Sequence, residues 1–543
     1  MKISRFYDFT ISRFYLLFVL LLPVSASAQE PLQLSRGLEI FADVYRQLDL
    51  FYVDTLSADT ALRWAINGML DDLDPYTVYY PDDNQEDLRA MATGKYGGIG
   101  AVIRASKKAG RSVVEEPYEG CPAQEAGVRA GDIILSIDGK DTRGWDNARV
   151  SKALRGEPGT TFELRVQRPN CVQPLSFRIT RRQIQTPSVP WYGIIDTVAH
   201  TGYLYLSSIT ENCARDVKNA FIEMRQKGMQ RFLLDLRDNG GGSVAEAVEI
   251  VGMFVPKGSH VVSTKGKVPA TCNDYRTPDE PIDTIMPLAV LVNGGSASAA
   301  EIVSGALQDL DRAIIIGQRT YGKGIVQAIR DVPYRGQLKI TTSRYYLPSG
   351  RCIQSYDYRH GGRKTSSAVG DSLKHVFHTR LGRIVRDDGG IMPDSVLAVD
   401  SMPTLVYDLM ASDALFDYVN NYAATHDTIA KPDDFVLTDA EYAIFADSIA
   451  VSDFKYNART KAALEQLRQI MSIEGRLSQA QAELQALEDK LASTDTRADI
   501  LSAKKFIQPL LETEIISRYY YQRGAMQHHA FRDKDVRRAL KMF

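Results

Sequence analysis

A serine and a lysine in two separate motifs have the residue types of a nucleophile and its base. Ser298 lies in NGGSASAAE, residues 293–301, and Lys323 lies in TYGKGIVQ, residues 320–327. A serine hydroxyl attacks a carbonyl only when a neighbouring group accepts its proton, and an amine kept neutral in a dry, apolar site can accept it. The pair predicts acyl-transfer chemistry, provided that the fold brings both residues together.

Each residue also has a purely structural interpretation. Ser298 follows a predicted strand and begins a predicted helix, where developing negative charge is favoured, but Ser298 with Glu301 also forms a capping box. Lys323 stands between two glycines and acts as a base only if desolvation lowers its pKa toward neutrality. The alternative is an anion-binding lysine, although the Ser or Thr that follows Gly-Lys in a phosphate loop is missing.

A third motif, DLRDNGGG at residues 235–242, is a buried strand that runs into three glycines. Glycines let the backbone turn its N–H groups toward a ligand without steric cost. Acyl transfer needs two such donors for the oxyanion, and Gly241 or Gly242 is expected to supply one while Ala299 supplies the other. A plain strand-to-helix turn is the alternative for this motif taken by itself.

The three motifs resemble, in order and spacing, the signature of the carboxyl-terminal processing peptidases, also called tail-specific proteases. The resemblance implies that Ser298, rather than Ser296, is the nucleophile of a Ser/Lys dyad, that Lys323 is the base, and that Gln327 orients the lysine. Many members have proline where Gly240 stands and serine where Ala300 stands. Neither position carries the chemistry.

The module before these motifs resembles a PDZ domain. Residues 96–100, YGGIG, look like a carboxylate-binding loop, and residues 121–127, 130–134 and 137–139 are similar to the parts that follow it in bacterial versions. Successive backbone N–H groups can hold a terminal carboxylate while an extended peptide adds to the strand at residues 99–103. The loop residues expected to do so are Gly97, Gly98, Ile99 and Gly100. Residues 347–354 and 389–394 extend the resemblance to about residue 394.

Pattern and resemblance together predict a multidomain α+β chain. Helical spacing before residue 90, glycine-broken β runs to about 184, alternating strands and helices to about 400, and helical patterns beyond indicate four folded regions. The expected organisation is a signal peptide (1–28), an N-terminal helical region (29–90), a PDZ domain (91–184), an α/β Ser/Lys peptidase core of ClpP/crotonase-like type (185–400) and a C-terminal helical region (401–543).

The last region contains a heptad-like pattern. Apolar residues recur at steps of three and four over about three repeats, which predicts a long helix or a helical hairpin that is core or dimer surface. They are Ile470, Ile473, Leu477, Ala480, Leu484, Leu487 and Leu491. Self-association as a homodimer is implied by the resemblance only.

The N-terminus reads as a secretory signal peptide. Lys2 and Arg5 precede an apolar run at residues 15–23, and small residues follow up to Ala28. The alternative is an uncleaved membrane anchor, for which the apolar run is short. We expect the mature protein to work outside the cytoplasm, in the bacterial periplasm, with membrane association only through an uncleaved segment.

Charge and cysteine content limit the kinds of partner and cofactor that we expect. The formal charge of −2, from 65 Lys+Arg and 67 Asp+Glu, gives no reason to expect nucleic acid. The five cysteines are sparse and widely separated, so they do not form a disulfide framework, although one bridge is permitted. No cysteine pair or histidine cluster indicates a metal, and we expect no cofactor.

The sequence favours a serine-type endopeptidase that recognises C-terminal tails of extracytoplasmic proteins. One alternative is a catalytically silent PDZ scaffold or chaperone on the same fold, and another is a Ser/His hydrolase. Against the latter, all eight histidines lie outside the three motifs: His200, His260, His360, His375, His378, His426, His528 and His529.

Overall fold

The computed structural model describes residues 29–82, 85–169, 171–358, 365–366, 375–387, 389–456, 458–492 and 495–542. The predicted signal peptide, residues 1–28, lies outside them. The described chain forms two compact units: residues 29–79 with Tyr358, and the remainder from Tyr80 onward. Within these residues, no helix is long and apolar enough to cross a membrane.

The first unit contains the two helices that its apolar spacing predicts. Helix α1 spans Gln29–Phe51 and helix α2 spans Ala58–Asp71. Ser57 is the N-cap of α2, since its side chain accepts the N–H of Thr60. A short strand, β1, spans Val78–Tyr80. The apolar side chains of α1 are largely exposed in this chain.

In the second unit, residues 91–184 form the PDZ-like module around a small apolar core. Its antiparallel sheet has the order β3-β4-β5-β7-β8, with β6 on β5, and β2 pairs with β9. Phe162, Leu164 and Val166 of β7 are buried while their neighbours are exposed, so one face of the strand lines the core. Helix α3 (Gln85–Thr93) leads into the module. Its elements are β2 (Lys95–Gly98), β3 (Ala101–Ser106), β4 (Arg111–Pro117), α4 (Pro122–Glu125), β5 (Ile133–Ile137), β6 (Lys140–Asp141), α5 (Asn147–Leu154), β7 (Thr161–Gln167), β8 (Leu175–Thr180) and β9 (Arg182–Gln185).

Residues 185–400, the peptidase-like core, contain the predicted α/β layer. Its main sheet has the order β10-β11-β12-β15-β16-β23; β10 runs antiparallel to β11 and the other pairs are parallel. Every residue of β15 is buried, as expected for a parallel strand covered on both faces. The elements are β10 (Trp191–Asp196), β11 (Thr201–Tyr205), α6 (Cys213–Gln226), β12 (Arg231–Asp235), α7 (Val244–Gly252), β15 (Leu288–Val292), α8 (Ala299–Asp309), β16 (Ile314–Gly317) and β23 (Ser395–Val396).

A second, antiparallel sheet lies beside this layer. Strand β18 pairs with both β17 and β13, and β13 also pairs with β14. Its strands are β13 (His260–Gly266), β14 (Asn273–Arg276), β17 (Ile325–Val332) and β18 (Gly336–Tyr346). Two short pairs complete this part of the chain: β19 (Tyr356–Asp357) with β20 (Thr365–Ser366), and β21 (Val376–His378) with β22 (Ile384–Arg386).

Residues 401–543 form the C-terminal helical region. The heptad-like pattern belongs to two helices, α12 and α13, because the first ends before Gly475, whose φ of +70° is left-handed. Arg468 and Glu488 form an ion pair between them, so of the two predicted arrangements, a long helix or a helical hairpin, the structure has the hairpin. The helices are α9 (Thr404–Met410), α10 (Asp413–Thr425), α11 (Asp439–Ala450), α12 (Ala458–Ile473), α13 (Gln481–Ala492), α14 (Thr496–Ser502), α15 (Lys504–Arg532) and α16 (Lys534–Ala539).

The C-terminal helical region packs on both other parts of the second unit. Phe531 of α15 lies against Trp191 of the main sheet, with ring centroids 6.0 Å apart. On the PDZ-like module, Arg104 of β3 pairs with Asp413 of α10. Segment α15 bends at Tyr521, whose φ of +53° and ψ of −167° are not helical, so two helical stretches meet there. The bend lies at the PDZ-like module, where Gln124 donates to the Tyr521 hydroxyl, and the second stretch leads to the peptidase-like core.

Candidate active site

Ser298 lies on a sharp turn between β15 and α8. Its φ of +57° and ψ of −117° are rare for a residue with a side chain, and the N–H of Ala300 donates to the carbonyl of Ala297 across the turn at 3.1 Å. Such strain costs about 1–3 kcal/mol and persists only where surrounding contacts enforce it. A strained strand-to-helix turn presents a serine hydroxyl at the surface of a helix N-terminus, as nucleophile elbows do.

Glu301 holds the Ser298 and Lys323 segments together. Its Oε2 accepts the backbone N–H of Ser298 at 2.8 Å and that of Lys323 at 2.9 Å. Its Oε1 accepts the Gly322 N–H at 2.8 Å and the Thr320 hydroxyl at 2.6 Å. Two nitrogens bound to one oxygen lie within about 6 Å of each other, so the two predicted catalytic residues are neighbours.

Tyr345 makes a second link between the same two segments. Its hydroxyl contacts the carbonyl oxygens of both Ser298, at 3.1 Å, and Lys323. Burial and the charge of Glu301 raise the pKa of Tyr345 well above its ordinary value, so the phenol keeps its proton for donation. The N–H groups and the carbonyl groups of the two residues are thus each bridged by one buried side chain.

The Glu301 carboxylate is fully buried, with four donors and no cation among these contacts. Burial raises its pKa to about 7, and the hydrogen bonds from Thr320, Lys323, Gly322 and Ser298 oppose that shift. The capping interpretation of this residue is correct in part, since the Ser298 N–H is one of its donors. The donors from residues 320–323 have no local sequence signature.

The lysine segment needs its glycines for close packing. Gly322 has a φ of +85°, and a side chain there would collide with Ser355. The Ser355 N–H donates to the Gly322 carbonyl at 2.9 Å, which holds the turn in place. Lys323 itself is half-buried. The two glycines that flank Lys323 therefore allow the neighbouring segment of the same chain to pack closely.

Gly241, one of the expected oxyanion donors, lies against Ser298 and Ala299. A Cβ at Gly241 would lie 2.7 Å from the Ser298 Cβ and 2.8 Å from the Ala299 nitrogen. The Gly241 N–H already donates to Asn239 Oδ1 at 2.8 Å. Within the described part of the chain, the N–H groups of Gly242 and Ala299 make no hydrogen bond. Of the three predicted donors, Gly241 alone is thus hydrogen-bonded within the described residues.

The glycine strand and the nucleophile turn are joined at several points. The Ala297 N–H donates to the Asn239 carbonyl at 2.9 Å, and Asp238 exchanges two hydrogen bonds with Asn293. Ser296 is fully buried, and its hydroxyl donates to the Leu236 carbonyl at 2.7 Å. Ser296 therefore fixes the turn, while Ser298 is the half-buried serine of the motif.

Gln327 lies on β17, next to a bulge that falls between Val326 and Gln327. Its side-chain amide donates to the Thr341 hydroxyl on β18 at 3.2 Å. The bulge changes the direction of successive side chains along the strand. The structure thus places Gln327 four positions after Lys323 at an irregular point of the second sheet.

A buried ion-pair cluster ends strand β12. Asp235 is fully buried and accepts from the backbone and guanidinium of Arg237 and from the Tyr203 hydroxyl. Arg237 also donates to Asp533, at 3.0 Å, and contacts His529, both in the C-terminal helical region. The sequence alone assigned no role to these residues. The acidic and basic residues of the DLRD motif are the sequence feature from which an ion pair could have been predicted.

Among the histidines that the structure describes, none forms a Ser/His site. His260 contacts the Ser263 hydroxyl at 2.7 Å, but Ser263 donates to Asp274, so the serine stands between the histidine and the acid. A catalytic triad instead has the histidine in the middle. His360 lies outside the described residues. Among those described, no group of histidine, cysteine and acidic side chains has the arrangement of a metal site.

Of the loop predicted in the PDZ-like module, Gly97 and Gly98 belong to β2, which pairs with β9, and only Ile99 and Gly100 connect β2 to β3. A Cβ on Gly97 would collide with the Gly156 carbonyl, and Gly100 has a φ of +69°. The N–H groups of Ile99 and Gly100 make no hydrogen bond to described residues, while their carbonyls accept from Ala123 and Tyr118. One edge of β3 pairs with β4, and no described strand pairs with the other edge. Loop donors and an open strand edge thus occur side by side.

Three family models match the chain. Peptidase family S41 matches residues 200–359, the PDZ domain matches residues 113–168, and a family described as probable PDZ-protease, C-terminal helical domain, matches residues 405–543. The predicted PDZ domain, peptidase core and helical C-terminal region are therefore confirmed as the composition of the fold.

Curated relatives are bacterial proteases. A carboxy-terminal-processing protease of Bartonella bacilliformis is 36% identical over 321 residues, covering 58% of this chain and 72% of its own length. A probable CtpA-like serine protease of Staphylococcus aureus is 32% identical over 359 residues, covering 64% and 69%. A solved photosystem II D1 C-terminal processing protease is 27% identical, with 67% and 93% covered and a TM-score of 0.37. The chain belongs to the carboxy-terminal-processing proteases of peptidase family S41, which are serine-type peptidases.

Proposed function

We propose that this peptidase recognises the C-terminal tails of proteins and cuts them through an acyl-enzyme on Ser298, with Lys323 as general base. The observation that carries the proposal is the double link between these two residues by Glu301 and Tyr345. A nucleophile and its base must be held in fixed relation, because displacement by about 1 Å can cost a hundredfold in rate.

In the first half-reaction, the Ser298 Oγ bonds to the scissile carbonyl carbon as its proton passes to the neutral amine of Lys323. The N–H groups of Gly242 and Ala299 donate to the resulting oxyanion. The intermediate collapses with cleavage of the C–N bond, and the Lys323 ammonium returns the proton to the leaving amine.

In the second half-reaction, water attacks the acyl ester and gives its proton to Lys323. The C–O bond to Ser298 breaks, and the Lys323 ammonium returns a proton to the serine oxygen. Gln327 is the residue that we assign to orienting the lysine, from the resemblance of its motif. Gly241 shapes the pocket through its contact with Ser298, while its N–H remains with Asn239.

Tail selection is assigned to the PDZ-like module. A free carboxylate is held by the loop at Gly97, Gly98, Ile99 and Gly100, of which Ile99 and Gly100 have unbonded N–H groups within the described chain. The peptide extends along the open edge of β3, so that main-chain hydrogen bonds give affinity. Binding of a free terminal carboxylate by this module accounts for selection of chain ends over internal segments.

The test is cleavage of matched peptides that end in a free acid or an amide. Wild type should cut the acid faster, while Ser298→Ala and Lys323→Ala cut neither and keep the wild-type melting temperature. Lys265→Ala, a lysine of β13, is the control and should cut normally. Full activity of either dyad variant would contradict the chemistry, and equal cleavage of acid and amide would contradict tail reading. A wild type that binds tails without cutting any would favour the silent scaffold.

We also propose that the protein works outside the cytoplasm, in the bacterial periplasm, after removal of residues 1–28. The basic residues, apolar run and small residues at that end support the proposal. N-terminal sequencing of the protein recovered from a periplasmic extract tests it: a mature protein beginning after Ala28 is expected, and a cytoplasmic, uncleaved protein would contradict it.

A homodimer is the proposed assembly. Helix α1 exposes apolar side chains at steps of three and four, the spacing of a helix face that packs on another helix: Leu34, Leu38, Phe41, Val44 and Leu48. Replacing Leu38 and Phe41 with serine should turn a dimer into a monomer in light scattering. A wild type that is monomeric at micromolar concentration would contradict the proposal.

A further inference from the structure

Asp533, at the junction of α15 and α16, lies far in sequence from the peptidase motifs but contacts one of them directly. Its Oδ1 accepts from Arg237 Nη1 at 3.0 Å. The side chains of Asp533 and Arg237 are only 14% and 11% exposed, so water competes weakly for this ion pair. A salt bridge in such a setting fixes its partners more firmly than a surface pair does.

Arg237 stands where strand β12 turns toward the expected oxyanion donors. Its Nε and Nη2 bind the buried carboxylate of Asp235, leaving Nη1 for Asp533. The residue before it, Leu236, accepts the Ser296 hydroxyl of the nucleophile turn. The residues that follow lead directly to Gly242. The guanidinium thus fixes the backbone between strand β12 and residues 239–242, the oxyanion loop.

Capping of α16 does not explain the contact with Arg237. Asp533 is the N-cap of α16, and its Oδ1 accepts the N–H groups of Asp535 and Val536 at 2.9 and 2.8 Å. Asparagine or serine caps a helix about as well, without a charge. The second role of Asp533, as counter-ion of a buried arginine, requires the carboxylate. The two roles can therefore be separated by substitution.

We propose that Asp533 is a positioning residue of the active site, which acts through Arg237 to hold the oxyanion loop at residues 239–242 in its productive geometry. The inference rests on the proposed function, since it assumes that Gly242 donates to the oxyanion. It gives the C-terminal helical region a part in the chemical step. His529, whose Nε2 lies 3.2 Å from Arg237 Nη2, supports the same guanidinium.

The test is Asp533→Asn, which retains the cap and removes the charge. We expect kcat to fall by about 10- to 100-fold with KM unchanged, because the effect falls on the transition state. Affinity for a peptide boronic acid, which forms a tetrahedral adduct with the nucleophile, should fall by the same factor. Binding of the corresponding peptide to the Ser298→Ala background should not change.

The matched control is Lys534→Gln, at the adjacent residue. Lys534 pairs α16 with Asp400 and is 49% exposed, so it tethers the same helix without contacting Arg237. Its kcat and boronate affinity should equal those of wild type. If Asp533→Asn does not fold, Asp533→Ser, with another capping side chain, replaces it.

A wild-type kcat and boronate affinity in Asp533→Asn would overturn the proposal. Equal losses in Asp533→Asn and Lys534→Gln would also overturn it, since they would show general loosening of the C-terminal helices. Failure of the proposed function looks different, because Ser298→Ala would then still cut the substrate. An inactive Ser298→Ala with an unaffected Asp533→Asn refutes only the positioning role.

Discussion

Ser298 and Lys323 donate their backbone N–H groups to the same oxygen of the buried Glu301 carboxylate, at 2.8 and 2.9 Å. The two segments come from different strands of different sheets, and one side chain fixes their relation. The strained turn at Ser298 and the glycine-flanked turn at Lys323 both depend on this carboxylate. Its loss should therefore displace both residues.

Glu301→Gln is expected to lower kcat/KM by about a hundredfold or more. The new amide group points an N–H donor at sites where two donors already lie, which leaves buried groups unpaired. The control is Glu246→Gln: Glu246 follows the N-cap Ser243 of α7 and also accepts two backbone N–H groups, from Asn212 and Ala214. Peptide cleavage assays on both variants test this prediction, and a fully active Glu301→Gln would contradict the role of Glu301 in holding the Ser298 and Lys323 segments together.

The same carboxyl predicts a dependence of stability on pH. Its pKa is raised to about 7 in the folded protein from an ordinary 4.5, so the folded state binds the proton more tightly. Its contribution to stability is fully present below about pH 4.5 and is lost as pH rises through about 7, by about 3 kcal/mol.

Denaturant unfolding of wild type and Glu301→Gln at pH 5 and pH 8 measures this contribution. The stability of wild type relative to the variant should be higher at pH 5 than at pH 8, because the variant has no titrating group at this position. A difference that is the same at both values, or larger at pH 8, would contradict the raised pKa.

Substitution by alanine should have different effects on cleavage at two adjacent glycines. At Gly241 a Cβ would lie 2.6 Å from the Ala297 carbonyl and 2.7 Å from the Ser298 Cβ, and φ is +94°. Gly241→Ala should therefore abolish cleavage and lower stability by about 1–3 kcal/mol. At Gly240 nothing lies within 4 Å, so Gly240→Ala should remain active. Cleavage rates and melting temperatures of both variants test this, and equal behaviour would contradict the close approach.

Recognition of a free C-terminal carboxylate should depend on Gly100. Its φ is +69°, and a Cβ there would lie 2.4 Å from the Cys121 Cβ, so Gly100→Ala distorts the loop. We expect KM for a free-acid peptide to rise by about tenfold, the loss of roughly one charge-assisted hydrogen bond. Gly110→Ala, also at positive φ but with open space around it, should leave KM unchanged. Similar KM values for the two variants would contradict the assigned loop.

The elements that position the site could be predicted where a local pattern defines them. The buried run of β15 and the strand before DLRDNGGG both appear as parallel strands of one sheet. The heptad-like pattern was harder to interpret, because apolar spacing continues across the helix break at Gly475. Periodicity alone does not distinguish one long helix from a hairpin.

The contacts that complete the site could not be predicted, because each depends on tertiary geometry. Glu301 looks like half of a capping box, yet three of its four donors come from residues 320–323. Tyr345 and Asp533 carry no motif. The sequence predicts Gly241 as an oxyanion donor, but the turn directs its N–H to Asn239.

The most direct test of the central claim is rapid-quench mass spectrometry of the enzyme during turnover of a free-acid tail peptide. A covalent acyl group should appear on the tryptic peptide that contains Ser298 in wild type. It should be absent in Ser298→Ala and should form more slowly, by about a thousandfold or more, in Lys323→Ala. Turnover without any adduct, or an adduct on a residue other than Ser298, would contradict the account.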